Sequence, residues 1–383
     1  MSGGGSGAAG RDLRLDFFRG LALFSIFIDH IPNNVLAHFT IRAVALADAA
    51  EVFILISGYA AGMVYGRAFE RQGALTASAR IYHRVWQLYV AHVFLFMLFM
   101  ATVAHAASSL NAGLYADEFR AADFLNEPDV AVIMALTLRF QPAFMDILPL
   151  YIVLLAVLPL VLLGLRRGQV PVLVLSLGLW LAVQFDKSLN LPAYPGIGQV
   201  WYFNPLAWQA LFYVGAWFGW RSTRGGVPWL ANRWLLWGAA AVAVAGFVIR
   251  VDWTLHWLYP PVPALFAEAL WPLMSKTDLS PLRFLNVLAL ALLVARLISP
   301  QARFLASRLA VPFVICGRHS LHIFCLGILL SVIGHLVINE HFGGIVLQIA
   351  VTAAGIAVMI AVAGLMDWFA IASNSPRART AGG

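Results

Sequence analysis

Long apolar runs separated by short polar segments dominate the chain from Leu15 onward. A helix that crosses a membrane needs about 20 mostly apolar residues. The pattern predicts about ten such helices, which cover Leu15–Pro32, Ala49–Tyr65, Val85–His105, Asp146–Leu165, Val170–Phe185, Pro205–Trp220, Arg233–Ile249, Leu282–Ile298, Leu309–Ile338 and Gly344–Ile371. We expect Ala131–Phe140 to be an interfacial helix. The four prolines of Leu255–Met274 favour a re-entrant or surface segment there.

The composition agrees with this pattern. Of the 383 residues, 61% are hydrophobic and 11% are charged, and the mean hydropathy is +0.82. Soluble domains carry about 25% charged residues, so a soluble globule, a disordered chain and a disulfide framework are excluded. The fold class predicted is all-α, a polytopic transmembrane helical bundle.

The basic residues predict the orientation of this bundle. With the N-terminus in the cytoplasm, 16 of the 25 basic residues fall in cytoplasmic segments or span ends, and seven fall on the outer side. An excess of arginine and lysine marks cytoplasmic loops. Acidic residues cluster instead in the predicted outer segment between Asp117 and Asp129. We therefore expect an even number of spans with both termini in the cytoplasm, and the net charge of +7 requires no nucleic-acid partner.

The chain is expected to form one membrane domain over residues 11–371. Residues 1–10 are rich in glycine, serine and alanine and are expected to be a disordered tail. Residues 372–383 are expected to be a cytoplasmic C-terminal tail. No internal repeat is evident, which argues mildly against a transporter.

Ionisable side chains within spans are costly and are candidates for function. The first span contains Asp16, Arg19 and His30. Arg19 and His30 are eleven residues apart, which places them on one helix face with ~16 Å between their levels. That face must look into the bundle or into a wet cavity. Alternatively, Asp16 and Arg19 form a simple pair, and His30 lies at the outer interface beside Asp29.

The second span begins with two carboxylates, Asp48 and Glu51, at the expected level of His30. Either one could orient a histidine that acts as a base. Alternatively, both simply favour the N-terminus of a helix. Further along, Ser57, Gly58 and Tyr59 lie in mid-span. Small residues there are typical of close helix contacts.

The following segment carries a group of basic residues. Arginine suits phosphate groups because it forms bidentate, charge-assisted hydrogen bonds. The group would therefore suit a donor that carries a nucleotide, such as an acyl-coenzyme A, or would simply face anionic lipid. Its members are Arg67, Arg71, Arg80, His83 and Arg84.

The ninth predicted span contains Arg318, His319, Ser320 and His322. The spacing of the two histidines provides no further ligand, so we expect no metal site. A buried arginine needs an anionic partner, either an acidic side chain or a substrate carboxylate. Two amides and a tryptophan in the segment FNPLAWQ, at the start of the sixth span, could hold a polyol or a carbonyl group, or could serve packing alone. These are Asn204, Trp208 and Gln209.

Several segments resemble one family of membrane proteins. They read RDLRLDFFRGLALFSIFIDHIP, DAAEVFILISGYAAGMVYG, ILPLYIVLL, WYFNPLAWQALFYVGAW and CGRHSLHIFCLG. In this order they are similar to the OpgC family, within the wider acyltransferase family 3 of integral-membrane O-acyltransferases. The wider family's pattern of a basic residue, ten intervening residues and a histidine matches Arg19 and His30. Its F-x-x-x-S-G-aromatic motif matches Phe53, Ser57, Gly58 and Tyr59.

The resemblance implies that a succinyl group is transferred to hydroxyls of osmoregulated periplasmic glucans by a multi-pass protein of the bacterial inner membrane. The donor implied is succinyl-CoA, a co-substrate and not a permanently bound cofactor. His30 would then be the base, with Asp48, Glu51 or Asp29 in support. The sequence does not define an oligomeric state, and a homo-oligomer is compatible with it.

The remaining roles concern the two substrates. Arg19, Arg67, Arg80 and Arg84 would hold the donor, and Arg318 would bind the succinyl carboxylate or the oxyanion. Other candidate substrate-binding residues are His319, Ser320, Asn204, Gln209, Trp208, Ser57 and Tyr59. The alternatives are an O-acetyltransferase acting on another surface polysaccharide, or a transporter of glucans or acyl groups without chemistry.

Overall fold

The structure is a computed structural model that describes residues 12–110, 112–194, 199–266 and 270–373. The predicted N-terminal tail and residues 374–383 of the predicted C-terminal tail lie outside these ranges. Within them the chain is helical, with isolated β-bridges and no β-strand. The predicted all-α class is therefore confirmed for the described residues.

Fifteen α-helices lie in the described part of the chain. They are α1 (Leu13–Asp29), α2 (Ile41–Val44), α3 (Ala49–Gln72), α4 (Ala74–Ser109), α5 (Ala112–Glu118), α6 (Ala122–Asn126), α7 (Pro128–Leu136), α8 (Ile147–Arg167), α9 (Gln169–Phe185), α10 (Pro205–Ser222), α11 (Arg233–Leu258), α12 (Pro281–Leu297), α13 (Val311–Arg318), α14 (Ser320–Glu340) and α15 (Ile345–Ser373). Four short 3-10 helices connect some of them, at Val35–Phe39, Pro228–Ala231, Trp271–Leu273 and Arg303–Ala306.

Six of these helices, α3, α4, α8, α11, α14 and α15, are long and apolar enough to cross a membrane. Helix α9 is apolar but shorter. Helices α11 and α15 leave much of their apolar surface uncovered, as expected of helices that face lipid. The chain is therefore a multi-pass membrane protein, whereas the count of ten spans and the orientation remain predictions.

The ninth predicted span, Leu309–Ile338, is two helices in the structure. Helix α13 ends at Arg318 and α14 begins at Ser320, with His319 between them in a non-helical conformation. The break brings Gly317 so close to α1 that a Cβ at this position would collide with the backbone oxygen of Asp16. The hydropathy pattern does not reveal such a break because both helices are apolar.

Small residues bring α3 and α10 into close contact along most of their length. On α3, a Cβ at Gly58 or Gly62 would collide with the backbone oxygen of Phe212 or Ala216. On α10, Gly215 and Gly219 approach the backbone of α3 in the same way. Both helices thus use the four-residue spacing of small residues that allows membrane helices to pack closely. The structural role predicted for Gly58 is confirmed.

Polar caps define where α1 and α3 begin. The Asp12 side chain accepts a hydrogen bond from the backbone N–H of Arg14 at the start of α1. Asp48 and Glu51 form a capping box at the start of α3, each accepting a backbone N–H of the first turn. Helix α1 packs against α3, α13 and α14, so its polar side chains lie inside the bundle.

The predicted outer acidic segment forms three short helices, α5 to α7. Helix α7, Pro128–Leu136, occupies the position of the predicted interfacial helix and packs against α4. Beyond the end of α11 at Leu258, the proline-rich stretch runs without a long helix in its described residues, as its prolines predict.

Candidate active site

Arg19 and His30 belong to one continuous helix. Helix α1 runs unbroken from Leu13 to Asp29, and His30 is its C-terminal cap. The two residues are eleven positions apart, so they are separated by ~16 Å along the helix axis. The guanidinium of Arg19 lies 4.0 Å from the carboxylate of Asp16, and 14% of the Arg19 side chain is exposed. The two residues define an Arg19 end and a His30 end of the site.

A cavity of about 170 Å³ opens between α1, α3, α4, α8 and α14. Its polar lining residues are arginines, tyrosines and serines, and the remainder are apolar. The residues that line it are Arg19, Phe53, Ser57, Ala60, Ala61, Val64, Tyr65, Arg84, Leu88, Leu148, Tyr151, Ser320, Leu321 and Phe324. A cavity with an apolar body and a few converging polar groups is typical of a ligand-binding site.

The cavity is elongated along α3. Its lining residues on this helix run from Phe53 to Tyr65, a rise of ~18 Å at the helical repeat. The Tyr65 end also carries Arg84. At the other end, Phe53 lies two residues after Glu51, and Leu148 lies two residues after Asp146. Along α3 the cavity thus extends from Tyr65 toward the end of the helix that carries Asp48 and Glu51, while His30 is not among its described lining residues.

Four of the predicted site residues line this cavity: Arg19, Ser57, Arg84 and Ser320. Tyr59 is not among the described lining residues, and its backbone lies against Gly219. The structure adds two residues that the sequence analysis missed, Tyr65 and Tyr151. Tyr65 is eight residues after Ser57, ~80° further round the helix, so both lie within one broad face of α3, and this face is the signal that could have identified it.

The other predicted donor-binding arginines lie outside the cavity on exposed surface. Arg80 donates to Oε1 of Gln72 at 3.0 Å. Arg67 is exposed on α3, beyond the Tyr65 end of the cavity. Both are close in sequence to residues that line the cavity. Arg67 is two residues after Tyr65, and Arg80 is about one helical turn before Arg84.

His30 lies beside the ring of Phe144, with 4.6 Å between the ring centroids. Its Nδ1 is buried and has no hydrogen-bond partner among the described residues. Lys276, Asp48 and Arg42 are near enough to act on the imidazole electrostatically. His30 is therefore a half-buried histidine with charged side chains near its ring.

The neighbouring residue, Asp29, belongs to a separate small network. Its Oδ1 accepts a hydrogen bond from the Thr40 hydroxyl at 2.8 Å. The same oxygen lies 3.8 Å from Nε of Arg42. Asp29 is thus held by the connection between α1 and α3.

Asp48 and Glu51 are bonded to cations and to the helix start, and neither is hydrogen bonded to His30 within the described chain. Nε of Arg283 donates to Oε1 of Glu51 at 2.6 Å, and another guanidinium nitrogen of Arg283 lies 3.1 Å from Oδ2 of Asp48. Nζ of Lys276 lies 2.7 Å from the same Asp48 oxygen. The expected carboxylate–histidine hydrogen bond is replaced here by ion pairs, because α12 brings Arg283 onto the start of α3.

Lys276 and Arg283 are two of the seven basic residues that the predicted orientation places on the outer side, and no spacing pattern in the sequence predicts their place at the site. Burial lowers the pKa of Lys276, but the negative charges of Asp48 and Glu51 outweigh it and hold the pKa above its ordinary value. Lys276 is therefore a permanent cation. One signal was available, since the chain has only two lysines among its 25 basic residues.

Two residues at the start of the sixth predicted span, Trp208 and Asn204, hold the Lys276 segment in place. Nε1 of Trp208 donates to the backbone oxygen of Lys276 at 3.0 Å, and the backbone N–H of Asn204 donates to that of Thr277 at 3.0 Å. The Asn204 side chain caps α10 and donates to Leu189, while Gln209 bonds to Ser176. Both amides thus have internal hydrogen-bond partners, as the packing alternative predicts.

Arg318 and His319 share an acidic partner on α15. Asp367 accepts from Arg318 at 2.9 Å and contacts Nε2 of His319 at 2.8 Å. The anionic partner that the sequence demands for Arg318 is thus an acidic side chain, in place of the expected succinyl carboxylate. This places both residues at the break between α13 and α14, on the Ser320 side of the cavity.

Comparison with curated proteins and with solved structures finds no match for this chain. A family model described as OpgC protein matches residues 11–371, which is nearly the whole chain and includes every residue of the site described above. The chain therefore belongs to the OpgC family of glucan-modifying acyltransferases.

Proposed function

We propose that this protein is an inner-membrane O-acyltransferase that moves a succinyl group from succinyl-CoA to hydroxyls of osmoregulated periplasmic glucans. The observation that carries the proposal is the cavity lined by Arg19 and Arg84, which extends along α3 toward the helix end where Asp48 acts on His30. Family membership supports the class of activity, and the arginine bias of the sequence supports an orientation with the Arg19 end toward the cytoplasm.

In this proposal the donor enters from the cytoplasm. Its phosphates bind Arg19 and Arg84, with Arg67 and Arg80 at the entrance, because guanidinium groups match phosphate oxygens. The pantetheine arm lies in the cavity along α3 and carries the thioester toward His30. The cavity's apolar lining suits the arm, and its ~18 Å rise along α3 matches the separation of the two ends.

At the His30 end, the imidazole accepts the proton of a glucan hydroxyl, and the hydroxyl oxygen attacks the thioester carbonyl. The new C–O ester bond forms, the C–S bond breaks, and the proton passes from His30 to the departing thiolate. Asp48 acts on the imidazole through its charge, and Asp29 fixes the end of α1 that carries it. Ser57, Ser320, Tyr65 and Tyr151 supply hydrogen-bonding groups to the donor inside the cavity.

The test is a His30→Ala variant expressed in cells that lack their own copy of the protein. Succinylated glucans carry negative charge, so anion-exchange chromatography separates them from neutral glucans. We expect the variant to produce neutral glucans only. His105→Ala, an exposed histidine on α4, is the matched control and should leave the profile unchanged. Normal succinylation by His30→Ala at normal protein level would contradict the base role.

A transport function without chemistry makes a different prediction. A transferase releases free thiol from succinyl-CoA when a glucan is added to the purified protein, whereas a transporter does not. An O-acetyltransferase would release thiol from acetyl-CoA in preference to succinyl-CoA. The same thiol assay therefore separates all three functions.

A further inference from the structure

Several cations lie at the His30 end of the site. The charged groups that act electrostatically on one or more neighbours there are Arg42, Arg120, Arg250, Lys276 and Arg283, together with Asp29, Asp48, Glu51 and Asp146. Clustered cations of this kind favour an anionic group of a ligand nearby.

Lys276 is the cation at the centre of this cluster. It acts electrostatically on Asp29, His30, Asp48 and Asp146, and it also acts on Glu51. The other cations act on fewer of these groups or are bound more fully. Arg283 is engaged with both Asp48 and Glu51, and Arg42 lies at Asp29 with almost half of its side chain exposed.

The ammonium group of Lys276 has more hydrogen-bond donors than its contact with Asp48 uses. It carries three N–H groups, and Asp48 Oδ2 at 2.7 Å takes one of them. Asp48 does not depend on this bond alone, since Arg283 and the backbone N–H of Ala50 also donate to it. The Lys276 side chain is 30% exposed, so a ligand can reach it.

Lys276 is linked to the cavity through the residues on which it acts, and it is not itself among the described lining residues. Glu51 and Asp146, on which it acts, each precede a lining residue of the cavity by two positions, on α3 and α8 respectively. His30 is the third group within its reach. A thioester held for attack near His30 would therefore present the far end of its acyl chain to the same region.

We propose that Lys276 binds the distal carboxylate of the acyl group and so selects a dicarboxylic acyl donor over a neutral one. This inference rests on the proposed function, and it gives Lys276 the role that the sequence assigned to Arg318. In this arrangement the contacts of Trp208 and Asn204 with the Lys276 segment help to position the ammonium group, because they fix the backbone that carries it.

The experiment compares two donors that differ at the distal group only, succinyl-CoA and butyryl-CoA, with purified protein and a neutral glucan. Thiol release gives kcat/KM for each donor. We expect the wild type to prefer succinyl-CoA. We expect Lys276→Met to lower kcat/KM for succinyl-CoA by about 10- to 100-fold, the value of a charge-assisted hydrogen bond, and to leave that for butyryl-CoA within about threefold.

Two further variants complete the comparison. Lys187→Met removes the chain's other lysine, which is half exposed and 3.5 Å from Asp278, and should leave the donor ratio unchanged. Lys276→Arg keeps the charge and should retain a preference for succinyl-CoA. The ratio of the two kcat/KM values is independent of the amount of active protein. The donor preference of a variant can therefore be measured even when only part of the protein is folded.

The outcomes separate this inference from the function on which it rests. Thiol release from neither donor by the wild type would overturn the proposed function. Release without a preference for succinyl-CoA would overturn the role of Lys276 while leaving transferase activity standing. An unchanged donor ratio in Lys276→Met, or an equal loss with both donors, would also overturn it.

Discussion

The Nε of Arg283 donates to Oε1 of Glu51 at 2.6 Å, and the Glu51 carboxylate has no exposed surface. The pair joins α12 to the first turn of α3, across more than two hundred residues of sequence. The second oxygen of Glu51 accepts the backbone N–H of Asp48 at 2.9 Å. A buried carboxylate with both oxygens bonded is a fixed structural element, and it holds the end of α3 that faces His30.

We therefore expect Arg283→Met to destabilise the protein strongly. Removing one partner of a buried pair leaves an uncompensated charge and costs about 3–5 kcal/mol. Thermal unfolding in detergent, followed by circular dichroism, should show a large drop in melting temperature. Replacing both partners, in Glu51→Gln with Arg283→Met, should recover part of the loss because no unpaired charge remains.

Arg296→Met provides the matched control. Arg296 lies on the same helix, α12, but is exposed, and among the described residues it donates a side-chain hydrogen bond only to the backbone oxygen of Ala231 at 3.5 Å. Its removal should change the melting temperature little. Equal effects of the two arginine substitutions would show that the Arg283–Glu51 pair contributes nothing beyond an exposed contact.

The contact between Arg283 and Glu51 also illustrates which features of the structure can be predicted from the sequence and which cannot. The alignment of Arg19 and His30 on α1 and the close packing at Gly58 follow from helix periodicity, which is local and can be counted. The partners of Glu51 and Arg318 come from distant helices, and no spacing rule relates them. For that reason the helical class and four of the six polar residues that line the cavity were predictable, whereas Lys276 was not.

Close packing of α3 on α10 yields a second stability prediction. Gly62→Val would place a side chain against the backbone oxygen of Ala216, which cannot move without separating the two helices. Overpacking of this kind costs about 1–3 kcal/mol or more. We expect a lower melting temperature and a lower yield of folded protein in detergent.

Gly178→Val is the control for this substitution. Gly178 lies in α9, and a Cβ there would meet no neighbouring atom within 4 Å. Both variants place valine in a helix, so the cost of helix propensity is the same for each. A Gly62→Val protein as stable as Gly178→Val would contradict the contact between α3 and α10.

The two arginines that line the cavity should act on donor binding and not on the chemical step. Arg84→Met and Arg19→Met each remove a guanidinium group from the cavity. We expect each to raise KM for succinyl-CoA about tenfold or more, with a smaller change in kcat, because the phosphates keep the same contacts throughout the reaction. Initial rates of thiol release over a range of donor concentrations measure both constants.

Arg233→Met serves as the control for these substitutions, since Arg233 is exposed at the start of α11, away from the cavity lining. A rise in KM for Arg233→Met as large as that for Arg84→Met would indicate a general effect of surface charge on an anionic donor. A loss in kcat alone, with KM unchanged, would place the two arginines at the reaction centre instead of the phosphates.

The orientation of the bundle is testable with two serine-to-cysteine substitutions. Ser109 ends α4 and Ser222 ends α10, and both are exposed. With the N-terminus in the cytoplasm and ten spans, α4 ends in the periplasm and α10 ends in the cytoplasm. In a protein whose native Cys316 and Cys325 are replaced by alanine, a membrane-impermeant maleimide applied to cells with a permeabilised outer membrane should label Ser109→Cys. Ser222→Cys should react only after the inner membrane is disrupted, and the reverse pattern would invert the topology and with it the proposed path of the donor.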